Sequence, residues 1–150
     1  MADLSDDIPL PPHVYVPGRS PRHPDAWFDE IKASVTPDVK PAELDRTRAF
    51  KAGLKYLENG YYWECHEVLE AVWMQTKDPS PERDMVLAII QLANARLKIL
   101  MGLPRAANRL CEMVETHLSR CPQAEPTLGQ KVSSILDKVN ETREMVRSAI

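Results

Sequence analysis

The segment WECHEVLEAVWM, residues 63–74, concentrates the residues of this chain that could do chemistry. His66 and Glu70 stand four apart, so on a helix they occupy successive turns of one face. Spacing residues at ~100° puts Tyr62, Cys65, Val68, Leu69, Val72 and Trp73 on one broad apolar side. Trp63 and Met74 form a second apolar edge, and Glu64, Glu67, Ala71 and Gln75 form a strip toward solvent. His66 and Glu70 fall between the two apolar edges. A carboxylate buried there is costly unless something pairs with it, so Glu70 is expected to meet His66 in a largely dry surround.

Such a pair supports three chemistries. Imidazole and carboxylate can satisfy each other as a structural clamp between helices. They can supply two ligands to one divalent ion, with other helices supplying the rest. They can also form an acid–base couple in which Glu70 orients His66, although no nucleophile is evident. HEVLE is not the zinc-protease motif, because Glu70 stands where H-E-x-x-H needs histidine. A carboxylate di-iron site needs glutamate three positions before His66, where this chain has Trp63. No phosphate loop, dinucleotide fingerprint or serine-hydrolase elbow occurs.

The elements that must position the pair are read from periodicity and punctuation. Pro9, Pro11, Pro12, Pro17, Pro21 and Pro24 make residues 1–24 an extended arm, laid over the surface or disordered, with His13 and His23 solvated. Asp25 is a candidate cap for a short helix over 26–34, with Trp27, Phe28 and Ile31 on its adhesive side. Stop and start signals at Asn59-Gly60, at residues 78–81, at 102–104 and at 122–129 delimit five longer helices. These run over about 42–59, 61–76, 81–101, 104–120 and 128–149. The third is apolar around nearly its whole circumference, with a polar strip of Gln91, Asn94 and Lys98, and reads as central. The fold expected is all-α: a single-domain antiparallel bundle of about five helices, residues 25–150, behind a Pro-rich arm.

Composition bounds the partners. A net charge of −3 gives no basic excess to favour nucleic acid, and no apolar run is long enough to span a membrane. The acidic N-terminus lacks the apolar core of a signal peptide, which points to a cytoplasmic protein. Cys65, Cys111 and Cys121 form no C-x-x-C pair and read as small buried hydrophobes.

Phe50, Gly53, Asn59-Gly60, Tyr62-Trp63-Glu64, His66-Glu67, Glu70 and Trp73, followed by Ile90-Gln91-Leu92-Ala93, Gly102 and Ala106, resemble the bacterial and archaeal family called domain of unknown function 309. Its mark, His-x-x-x-Glu-x-x-Trp/Tyr, is met by His66, Glu70 and Trp73, and the likeness covers a core of about residues 46–111. The resemblance implies an all-helical domain and metal binding by the motif residues, and it supplies no reaction. On this reading His66, Glu70 and Glu67 hold one divalent ion for a metal-dependent hydrolase, and Trp73, Trp63, Tyr62 and Gln91 shape the pocket. His117 is a further donor, and Arg96 is a rival counter-charge for Glu70. The alternative is a non-catalytic interaction or dimerisation module, in which His66–Glu70 is a buried structural pair and the rim beside Trp63 and Met74 receives a partner helix or a second copy. A small-molecule pocket lined by His66, Glu70 and the Gln91 strip is a third possibility, its ligand unassigned.

Overall fold

The structure, a computed structural model, describes residues 8–149. Residues 1–7 of the expected arm and Ile150 lie outside the described residues. Pro24 sets up a 3-10 turn over Asp25–Phe28 that passes into α1 (Asp29–Lys32). Asp25 is therefore inside the first turn and caps nothing, since no side-chain cap bond forms there. Phe28 and Ile31 bury the inner side of this segment, as their spacing suggests.

The helix expected over 42–59 divides. Pro41–Arg46 is a 3-10 turn, and Thr47 is extended at φ −73, ψ 150 before α2 (Arg48–Glu58) begins. The Thr47 hydroxyl accepts the Phe50 N–H, so the break is an N-cap of the kind threonine favours. In α2, Ala49, Phe50, Ala52, Gly53, Tyr56 and Leu57 face inward. Gly60, at φ 83, turns the chain into α3 (Tyr62–Met74). A Cβ on Gly53 would meet Leu69 Cδ2 at 2.4 Å, so the missing side chain is what lets α2 and α3 approach.

Ser80 caps α4 (Pro81–Leu100) by accepting the Arg83 N–H, with Pro81 preorganised in the first turn. Met85, Val86, Ala88, Ile89, Leu92, Ala93 and Ala95 are fully buried, and α4 packs against α3, α5 and α6, which makes it the central helix. α5 (Pro104–Ser119) returns antiparallel to it, because Asp84 at the start of α4 touches His117 at the end of α5.

The last helix, expected from residue 128, begins four residues later as α6 (Val132–Ala149). Leu128 and Gly129 have φ of 51 and 73, which no right-handed helix accepts, and Thr127 and Gln130 exchange backbone hydrogen bonds across that turn. Arg96 of α4 fastens α6 by donating to Thr142 Oγ1 and to the Lys138 carbonyl. Among the described residues the protein is an all-α bundle without strands, and no helix is long and apolar enough to cross a membrane.

From Ile8 onward the arm is laid on the bundle. Ile8 is buried, Lys55 Nζ donates to its carbonyl at 2.7 Å, and the Tyr56 hydroxyl donates to the Pro9 carbonyl at 3.1 Å.

Candidate functional site

The core face of α3 is the expected one, with Cys65, Val68, Leu69 and Val72 fully buried and Tyr62 and Trp73 at its margins. The two remaining strips are interchanged. The one expected toward solvent is covered by the N-terminal third of the chain. Glu64 is wholly buried, Glu67 is ion-paired with Lys32 of α1, and the Gln75 amide donates to the Pro37 and Val39 carbonyls. The strip expected to be dry is open.

His66 Nε2 lies 3.9 Å from Glu70 Oε2, with the two side chains 38% and 55% exposed. That separation is too long for a hydrogen bond, and among the described residues neither side chain makes one. The buried structural pair expected at this position is thereby overturned. Water solvates Glu70, so it requires no partner. Met74, one turn beyond Glu70, is 72% exposed. Trp73, three residues beyond Glu70, carries the Arg83 guanidinium 4.4 Å from its ring centroid, and its buried indole nitrogen has no hydrogen-bond partner among the described residues.

The dry acid–imidazole pair of this protein is formed by other residues. His23 Nε2 stands 2.6 Å from Glu64 Oε2, and both side chains are essentially inaccessible. The same oxygen accepts the Tyr15 N–H at 2.8 Å, so one carboxylate of α3 holds two points of the arm. The His23 ring is boxed by His13 at 4.5 Å, Phe28 at 5.5 Å, and Trp27 and Trp63 at 6.2 Å. Among the described residues neither His23 Nδ1 nor Glu64 Oε1 has a hydrogen-bond partner. His23 is thus a core residue, and His13 is half-buried, its Nε2 at 2.6 Å from the Pro21 carbonyl. Burial lifts the Tyr56 phenol and the Cys65 thiol well above their ordinary ranges, and the Glu64 charge pushes both further up.

A sequence signal for this pair existed. Glu64 lies four residues before Val68 on the edge of the buried arc, and His23 precedes the aromatic pair Trp27-Phe28 by four residues. Deciding between water and arm as the cover of Glu64 required knowing where the arm runs.

The other expected site residues are dispersed. Gln91 accepts from the Asn94 amide at 3.1 Å on the strip of α4. His117 Nδ1 sits 2.9 Å from Asp84 Oδ1, joining the C-terminus of α5 to the N-terminus of α4, where both helix dipoles favour those charges. Arg96 faces α6 and Glu141, and so is no counter-charge for Glu70. Trp63 packs edge-on against Tyr15 and joins the box around His23. Among the described residues, no three His, Cys, Asp or Glu side chains are grouped to hold a metal ion. What the chain offers a cation at the motif is two donors, one turn apart and accessible.

An all-helical bundle with an open His–Glu pair on its second long helix defines the class of molecule. Residues 50–110 match the family described as Domain of unknown function (DUF309). The matched stretch takes in α2 from Phe50, all of α3 and α4, and α5 as far as Leu110. It leaves the arm, α1 and α6 outside. No curated protein and no solved structure matches the chain.

Proposed function

We propose that the protein is a helical binding module whose exposed His66–Glu70 pair takes a divalent metal ion at two points, with the remaining coordination positions left to water or to a bound molecule. The observation that carries this reading is the accessibility of the pair: two good donors on successive turns, 3.9 Å apart, neither engaged by a hydrogen bond. Metal–nitrogen and metal–oxygen bonds of about 2.1 Å put two donors of one ion about 3.0–3.4 Å apart. Exposed side chains close the difference by small rotations.

A bound divalent ion there would supply Lewis acidity. The chain's own part is to hold the ion on α3, where Trp73 follows Glu70 by three residues. Hydrolysis, the finer reading, would ask for a base beside the ion. Glu67, next to His66, is the carboxylate at hand, and Lys32 engages it.

Titration of the untagged full chain with Ni2+ and with Zn2+, followed by calorimetry and by thermal melting, tests the binding claim. One equivalent should bind, and at 100 times the dissociation constant it should stabilise the fold by about 2.7 kcal/mol. His66→Ala should abolish both effects. Equal binding by wild type and His66→Ala, or no binding by either, would overturn the reading.

A further inference from the structure

We infer that Lys32 is a positioning residue for the His66–Glu70 pair, holding Glu67 away from it and so limiting the site to two protein ligands. This rests on the metal reading above. Glu67 follows His66 directly and precedes Glu70 by three, so its carboxylate shares a helix surface with Glu70 and is the nearest third donor that α3 carries. In the structure that carboxylate is engaged by the Lys32 ammonium, with each side chain about 30% exposed.

The holding group is not a loose surface lysine. Lys32 ends α1, whose Ile31 is buried and whose preceding turn seats Phe28 against the His23 box. The arm and α1 lie outside residues 50–110. A segment added to the family-like core therefore sets the donor count on that core's helix. The ligand class follows: with two neutral-to-anionic donors the site suits a borderline ion that imidazole favours, such as Ni2+ or Zn2+. Release of Glu67 adds charge and hard-oxygen character, which favours tighter binding and a shift toward Mn2+.

The test is a binding cycle on the full chain with Ni2+ and Mn2+: wild type, Lys32→Met, Glu67→Gln and the double variant. Both side chains keep about 30% of their surface in water and neither is sealed in the core, so melting temperatures should stay within about 3 °C of wild type. Lys32→Met should bind at least about threefold tighter, with the larger gain for Mn2+. The double variant should lose that gain and match Glu67→Gln. Equal tightening in Lys32→Met and in the double variant would mean that only the lysine charge matters, and it would overturn the inference. No tightening in Lys32→Met would overturn it too, while His66-dependent binding by wild type left the metal reading standing. Binding that appears only in Lys32→Met would support Glu67 recruitment and contradict two-point binding. Absence of binding in all four would remove both.

Discussion

Truncating His23 to alanine should cost far more stability than truncating His66, although the motif draws attention to His66. His23 and Glu64 are 1% and 0% exposed in their side chains and 2.6 Å apart. Removing one partner of a buried hydrogen-bonded acid–imidazole pair costs about 3–5 kcal/mol, because the carboxylate is left desolvated. Glu64 would retain the Tyr15 N–H at 2.8 Å, which places His23→Ala near the lower end, at about 3 kcal/mol. Loss of ring contacts to His13, Phe28 and Trp63 adds to this. Against a total of roughly 5–15 kcal/mol this is a large fraction, and it corresponds to a fall in melting temperature of roughly 6–12 °C. His66→Ala, acting on an exposed pair at 3.9 Å, should cost less than about 1 kcal/mol. Urea unfolding of both variants, followed by far-UV circular dichroism, measures the difference. In a second step, His23→Phe with Glu64→Leu should recover much of the loss, since a packed apolar pair leaves no charge stranded. Equal costs for His23→Ala and His66→Ala would refute the reasoning, and so would a cost for His23→Ala below about 0.5 kcal/mol.

Two further outcomes follow from the packing. Gly53→Ala should destabilise by about 1–2 kcal/mol net, because a Cβ 2.4 Å from Leu69 Cδ2 overpacks the α2–α3 contact by more than the ~1 kcal/mol that alanine gains in a helix. A more stable Gly53→Ala in chemical unfolding would show that Leu69 simply moves aside. Stability should also fall as pH rises above about 8.5, the ordinary thiol range. Burial raises the Cys65, Cys111 and Cys121 thiols, and in Cys121, aided by Asp84 and Glu82, the value is pushed up to about 11. The unfolded chain then releases thiol protons that the folded chain keeps, so the stabilisation is intact below the unfolded value and is lost as pH rises toward the folded one. The slope is about −1.4 kcal/mol per pH unit for each such thiol, and Cys121→Ala should reduce it in unfolding curves taken from pH 7.5 to pH 10. A pH-independent stability over that window would contradict the burial assigned to the thiols.

The large elements were legible because their signals are local. The apolar circumference of α4, the proline and glycine punctuation, and the inward faces of α2 and α3 each lie within one stretch of chain. Boundaries failed where a single backbone angle decides the outcome. Thr47 could have continued a helix and instead caps one, and Leu128-Gly129 adopt left-handed angles that periodicity does not encode. The site failed for a longer-range reason. Helical spacing orders residues around α3 but does not say which polar strip another segment will cover. Glu64 is buried because the arm crosses it, and that contact spans 41 residues to His23. His66 and Glu70 are open because no element among the described residues crosses them. His66 and Glu70 lie on α3, as their spacing predicts, and the dry environment expected around them belongs to Glu64.

The most direct measurement is an imidazole 15N–1H correlation spectrum of the four-histidine chain during addition of Ni2+. Ring signals of His66 should shift or broaden at substoichiometric metal, and those of His23, sealed against Glu64, should stay unchanged up to one equivalent. Unaltered His66 signals at saturating metal, or a response that begins at His23, would contradict the claim that the accessible pair on α3 is the binding feature of this protein.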